Sequence, residues 1–347
     1  MINLAIVGTG GMAHAHARAY STIRGVRMVA ACDIVTGRAQ EFAKEFKIPH
    51  AYTDVSELLA QEDIDAVDVV TPDASHAAIS LQAIAKGKHV LCEKPLATCY
   101  PDAQQMAEAA ARAGVINMVN LSYRNSSAIQ KAHQIVQQGK IGKVMHVEAS
   151  YLQGWLASKH WGDWHDRPSL LWRLSTRHGS AGALGDIGVH ILDFTTFGAG
   201  DIQSVNCHLK TFHKVDGDCI GEYVLDANDS AVITIEMAGG ALGTVHITRW
   251  AVGQPNSLSL RIYGDQGALT VNLDQSYTNL QLWVGEDVDK MAWKTLDCGQ
   301  TPDIYHRFIS SIRKGMNDQP DFATGARVQK MLDACFESDR LGKPVVI

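Results

Sequence analysis

Short apolar runs alternate with amphipathic stretches from the first residue to about residue 120. The runs fall at residues 4–7, 28–32, 66–70, 89–92 and 115–119, each nearly continuous in hydrophobic side chains. Strands covered on both faces need that kind of run. Helical periodicity fills the gaps at 37–46, 75–86 and 103–113. The alternation predicts a parallel sheet with crossover helices.

The pattern changes after Asn120. A helix is predicted over 128–138, then a long strand over 144–152, an irregular tryptophan-rich stretch over 153–181 and a helix from 186 to 197. From 202 to 293 strand alternation is punctuated by turns at Asp216-Gly217, Asn228-Asp229, Gly239-Gly240 and Gly264-Asp265, which predicts an antiparallel sheet. Helices over 302–314 and 324–341 follow. A chain of 347 residues exceeds one ordinary core, so two domains are expected, over 1–121 and 122–347.

The first strand runs into Gly8-Thr9-Gly10-Gly11-Met12-Ala13 and then into a predicted helix. Gly8 allows a tight turn, Gly10 lets backbone amides approach a pyrophosphate, and Ala13 keeps the helix close to the sheet. Asp33 ends the second strand, where a carboxylate binds the adenosine ribose 2′-hydroxyl and repels a 2′-phosphate. The expected cofactor is therefore NAD rather than NADP. Arg38 is expected a turn into the next helix, too far away to clamp a phosphate.

Composition narrows the remaining classes. A net charge of −6 without a local Lys/Arg cluster offers nucleic acid no footprint. No apolar run approaches the roughly 20 residues that cross a bilayer. Seven cysteines without a Cys-x-x-Cys pair fit unpaired thiols in a reducing compartment, and with no secretory signal pattern the cytoplasm is expected.

Three further segments are Thr71-Pro72 with His76, then Glu93-Lys94-Pro95, then Gly185-Asp186-Ile187-Gly188-Val189-His190 with Asp193. In this order and spacing the chain resembles the Gfo/Idh/MocA family of oxidoreductases over nearly its whole length. The resemblance implies a Rossmann α/β domain that binds NAD(P), plus an α+β substrate domain with a large, mostly antiparallel open sheet. It also implies homodimers or homotetramers formed through that sheet, no metal, and a catalytic Lys, Asp and His at Lys94, Asp186 and His190. Gly8, Thr9, Gly10, Gly11, Met12, Asp33, Thr71, Pro72, His76, Glu93 and Lys94 are the expected cofactor residues.

Residue chemistry runs alongside. Lys94 ends a parallel strand, at the sheet edge where α/β proteins bind ligands. Asp186 and His190 are four apart in a predicted helix and share a face, and Asp193 is placed to reach the same imidazole. A plainer alternative makes Asp186 a helix cap and His190 a core histidine. A histidine titrating near neutrality suits a base for an alcohol.

Trp155, Trp161, Trp164 and Trp172 lie within 153–181 among Gln153, Lys159, His160, Asp163, His165, Asp166 and Arg173. Aromatic faces beside hydrogen-bonding groups suit a polyhydroxylated ring, so this stretch is expected to wall the substrate cleft, one or two tryptophans serving as core or interface anchors. A metal site of His160, Asp163, His165 and Asp166 matches no standard ligand spacing. Tyr123 and Arg124 stand where the family often has a Tyr/Asn-Arg-Phe-x-Pro stretch, here lacking the Phe and Pro. With Gln153, Trp155, Arg173, Asp186 and His190 they are the expected substrate residues. The expected reaction is hydride transfer between a sugar, glycoside or cyclitol CH–OH and the nicotinamide, with His190 as base and Lys94 polarising the hydroxyl. The alternatives are glycoside cleavage with retained NAD and a non-catalytic NAD(P)-binding regulator.

Overall fold

The computed structural model describes residues 1–60, 63–290 and 292–347, so Met291, within the predicted antiparallel span, lies outside the described residues. They divide into two compact units, residues 1–122 with 302–329 and residues 123–301 with 330–347.

The first unit holds strands β1 (Ile2–Val7), β2 (Val26–Cys32), β3 (His50–Tyr52), β4 (Ala66–Val69), β5 (His89–Cys92) and β6 (Asn117–Val119). Helices α1 (Gly11–Ser21), α2 (Arg38–Phe46), α3 (Val55–Leu59), α4 (His76–Ala85) and α5 (Tyr100–Ala113) connect them. Among the described residues the strands pair in parallel in the order β3-β2-β1-β4-β5-β6. This is the Rossmann order, whose direction of strand addition reverses between β1 and β4 and opens a crevice at their carboxyl ends. Sequence periodicity missed β3 and α3, which are three and five residues long. The side chain of Asp54 starts α3 by accepting from the Ser56 and Glu57 amides.

The second unit opens with α6 (Ser127–Gln137) and β7 (Val144–Leu152), followed by α7 (Pro168–Leu171) and α8 (Val189–Ala199). Strands β8 (Ile202–Lys210), β9 (Cys219–Ile220), β10 (Tyr223–Val224), β11 (Ser230–Met237), β12 (Leu242–Thr248), β13 (Ser257–Gly264), β14 (Gly267–Asn272) and β15 (Asn279–Val284) follow. The short α9 (Asp287–Lys290) and β16 (Lys294–Asp297) come next. The large sheet runs β16-β15-β14-β13-β7-β12-β11-β8-β17, where β17 is Val345–Val346. It is antiparallel except at β7–β12, which pair in parallel.

Alternation along β11 buries Ala231, Ile233, Ile235 and Met237 and turns Val232, Thr234 and Glu236 outward. Helix α8 lies close on the buried face, because a Cβ at Gly198 would come within 2.6 Å of the Leu260 side chain. No helix among the described residues is long and apolar enough to cross a membrane.

Helix α10 (Ile304–Lys314) and the first part of α11 (Phe322–Leu341) return to the first unit. Ile304, Phe308 and Ile309 form one stripe of α10 and join a core that includes Leu4, Ile6, Tyr20, Leu91 and Met118. Periodicity predicts this helix but does not say which core its stripe enters. Phe308 is completely buried, so Phe308→Ala is expected to lower stability by about 3–5 kcal/mol, read as a shifted urea midpoint.

Candidate active site

In the first unit the chain leaves β1 through Gly8, at φ +89°. A Cβ there would lie 2.4 Å from the Val70 carbonyl oxygen, so both conformation and space demand glycine. Gly10 is the N-cap of α1, whose first turn carries no acidic residue. A Cβ at Gly10 or Gly11 would meet nothing within 4 Å. Open space over the first turn of an eleven-residue helix suits an anion. Met12 is exposed there, and Ala13 is buried beneath.

Asp33 is held beside this turn. Thr9 donates to Oδ2 from its amide and its hydroxyl, both at 2.9 Å, and the Val35 amide donates to Oδ1 at 2.9 Å. Burial opposes ionisation of Asp33, but these donors and Arg38 prevail and hold its pKa below the usual value. Arg38 corrects the sequence expectation. It is the first residue of α2, after Gly37 at φ +90°, and its Nη1 lies 3.7 Å from Asp33 Oδ1. The turn, the open helix end and the ionised carboxylate together fit a dinucleotide with a ribose 2′-hydroxyl.

Thr71 and Pro72 follow β4 at the same edge. His76 is fully buried, its Nδ1 2.8 Å from the Pro95 carbonyl oxygen and its Nε2 2.8 Å from that of Thr71. It therefore braces two loops that flank the cofactor edge. Glu93 follows β5 and is buried. Its Oε1 faces His16 Nε2 at 3.0 Å and accepts from Asn120, while its Oε2 accepts from the Lys94 amide at 3.1 Å. Sequence reading missed His16, Asp68 and Asn120. A charged Asp68 inside the apolar run 66–70 was the available signal.

The candidate residues of the second unit lie on one helical run. Asp186 sits inside a π-helical turn, Leu184–Gly188, that continues into α8, so it is not a helix cap. Its Oδ2 accepts from Arg173 Nη1 at 3.1 Å and from Arg249 Nη2 at 2.9 Å. Arg249, at the end of β12, is fully buried; burial lowers its pKa and Asp186 works against that shift. Nothing in the sequence marks an arginine after a strand as buried.

Asp193, expected beside His190, has both oxygens bonded to Arg124, with Nε–Oδ2 at 2.9 Å. Arg124 also lies over the Phe197 ring, 4.1 Å from its centroid. This arginine is buried and clamps α8.

His190 packs edge-on to the Tyr123 ring at 4.9 Å and near Tyr151 at 6.3 Å. The two tyrosine hydroxyls bond to each other, and Asn256 accepts from Tyr151 and donates to Tyr123, both at 2.9 Å. Gln153 donates to the same Asn256 oxygen and accepts from Trp155 Nε1. Burial and the neighbouring Tyr123 push the Tyr151 phenol far above its ordinary pKa, so it stays a hydroxyl. Asn256 was missed because its loop carries no motif.

Two tryptophans of this stretch are core anchors, as expected for one or two of them, and Trp155, an expected substrate residue, is one of the two. Trp155 and Trp164 are 2% and 4% exposed and anchor a satellite core with Leu156, Leu171, Leu174 and Leu225, against which Trp161 packs. Trp155 stacks on Trp161 and lies beneath Arg249, so its faces are taken up by protein. Arg173 lies over Trp172. His165 pairs with Asp163, which also binds Lys159.

Two family profiles match this chain. Residues 2–121 match one described as "Oxidoreductase family, NAD-binding Rossmann fold", and residues 129–270 match the Gfo/Idh/MocA C-terminal domain. A levoglucosan dehydrogenase of Pseudarthrobacter phenanthrenivorans is 28% identical over 97% of this chain and 96% of its own. The D-glucoside 3-dehydrogenase of Escherichia coli is 25% identical over 99% of this chain and 97% of its own. A solved levoglucosan dehydrogenase in complex with NADH and levoglucosan has a TM-score of 0.87 at 27% identity, covering 100% of this chain and 99% of that one.

The buried charges have measurable consequences. Truncation by Arg124→Ala strands Asp193 and is expected to cost about 3–5 kcal/mol in a denaturant titration. Burial disfavours the His16 imidazolium, yet Asp68 and Glu93 outweigh it and raise its pKa from 6.5 to about 10. Burial would raise that of Glu93, but His16, Lys94 and Asn120 lower it from 4.5 to about 2. The stability from His16 is complete below 6.5 and lost as pH rises through 10; that from Glu93 is complete above 4.5 and lost as pH falls towards 2. Wild-type stability is expected to decline between pH 6.5 and about 10 more steeply than that of a His16→Gln variant.

Proposed function

The chain belongs to the Gfo/Idh/MocA family of oxidoreductases, and from that premise we propose that it transfers hydride between a ring CH–OH of a sugar, glycoside or cyclitol and NAD. The observation that carries this reading is the Asp33 carboxylate, kept ionised beside the Gly8–Gly11 turn by three hydrogen bonds. Bound NAD supplies the hydride acceptor. Asp33 takes the ribose 2′-hydroxyl and disfavours a 2′-phosphate, and the first-turn amides of α1 face the pyrophosphate.

His190 accepts the hydroxyl proton of the substrate, and Lys94 polarises the hydroxyl oxygen. Asp186, whose Oδ2 is held by both Arg173 and Arg249, is an orienting group. The Tyr123 and Tyr151 rings pack on His190 and their hydroxyls bond to Asn256, a polar group suited to a polyhydroxylated ring. Relatives named for levoglucosan and D-glucosides favour sugars within that class. The outward face of the large sheet carries Val232 and Leu242 among polar neighbours, which supports pairing of copies through it.

Screening sugars, glycosides and cyclitols with NAD and NADP is expected to give steady NADH formation with at least one sugar and weaker use of NADP. Release of free sugar without NADH would replace this reading with NAD-retaining glycoside cleavage. Replacing the base, His190→Ala is expected to lower kcat by about 100- to 10,000-fold while NAD affinity, followed by fluorescence titration, stays unchanged. Full turnover in that variant would remove His190 from the mechanism.

A further inference from the structure

Helix α1, which carries the cofactor turn, is tied to the turn that presents Lys94 by a chain of buried charges. His16 projects from α1 and is completely buried. Its Nδ1 lies 2.8 Å from Oδ2 of Asp68, a fully buried residue within β4, and its Nε2 lies 3.0 Å from Glu93 Oε1. Carboxylate oxygens face both ring nitrogens, an arrangement that favours the imidazolium, while the Asn120 amide nitrogen lies 3.2 Å from the same Nε2 and burial raises the Asp68 pKa. Asn120 donates to the same Glu93 oxygen, and the rings of Tyr305 and Tyr20 close the cluster from α10 and α1.

Burying such a trio costs several kcal/mol per ion, and apolar side chains of similar volume often match it, so net stability is a weak reason for its presence. Its position offers a stronger one. The second oxygen of Glu93 holds the amide of Lys94. On the other side of the lysine, His76 holds the Pro95 carbonyl. The backbone is thus held at the Lys94 amide and at the carbonyl of the next residue, and the grip at the amide leads back to the cofactor helix.

We propose that His16 is a positioning residue for Lys94, acting through the Glu93 carboxylate and coupling the cofactor-binding helix to the turn that presents the lysine. This rests on the reading of Lys94 as the group that polarises the substrate hydroxyl. The chain of contacts is short: α1 to imidazolium, imidazolium to carboxylate, carboxylate to the Lys94 amide. A lysine displaced by an ångström loses alignment with the reacting oxygen while the dinucleotide, bound by the turn and Asp33, is still held.

A double-mutant cycle with His16→Gln and Glu93→Gln tests it. Each single variant is expected to lower kcat by up to about 100-fold while the KM for NAD changes by less than about threefold. The double variant is expected to be no slower than the worse single, because both break one chain. Additive losses, or a rise in KM for NAD without a fall in kcat, would overturn the proposal. Should His16→Gln fail to fold, Asn120→Ser removes the other side-chain donor to Glu93 and is expected to give the same kcat–KM split.

A readout without cofactor or turnover completes the test: the 15N spectrum of the wild-type chain is expected to show both His16 nitrogens protonated at about pH 8, above the ordinary histidine range. A neutral ring at that pH would also sink the proposal. Lys94→Ala separates the two layers. Retained turnover there defeats the assigned role of Lys94, whereas an inactive Lys94→Ala with additive His16 and Glu93 effects defeats only the coupling through His16.

Discussion

A chain leaving β1 has no room for a side chain, and the first unit is organised around that constraint. At Gly8 the backbone turns so close to the Val70 carbonyl that a single added carbon would overlap it. The tight turn aims α1 across the reversal of strand order, leaves its first turn open, and brings Thr9 against Asp33. It also fixes where the buried face of α1 lands, so that His16 meets Asp68 within β4 and Glu93 just after β5. Cofactor recognition and the setting of Lys94 thus share one steric origin.

Buried ion pairs recur wherever a candidate catalytic residue is carried. Arg124 with Asp193 clamps α8, on which His190 lies. Arg249 with Asp186 stabilises the π-helical turn ahead of it, and His16 with Glu93 sets the turn of Lys94. Such pairs are poor sources of net stability but strict in geometry, since a guanidinium or imidazolium in a dry interior tolerates few arrangements of its carboxylate. That strictness falls at the helix ends and strand ends that carry the candidate catalytic residues.

The tryptophan-rich stretch makes the complementary point. Four tryptophans in a short irregular segment read naturally as a sugar platform, yet Trp155 and Trp164 form a core of their own with surrounding leucines. A segment with little regular structure of its own needs large apolar side chains to hold a shape. A hydrogen-bonded polar group of Gln153, Tyr123, Tyr151 and Asn256 lies beside it and meets His190 through the two tyrosine rings.

The amino-acid sequence by itself determined the alternation of strands and helices, the glycine turn with Asp33, and the order of the Lys94, Asp186 and His190 segments. These are local properties: periodicity follows from backbone geometry, and a turn that only glycine can make is written in two or three residues. Tertiary structure alone decided what meets across long separations. It placed α10 in the first core, brought Arg249 to Asp186, engaged Asp193 with Arg124 rather than with the imidazole, and folded Arg38 back to Asp33. The reason is physical: a charged side chain's partner is set by which residues share its dry interior, and residues far apart in the chain share one only after the sheet has formed.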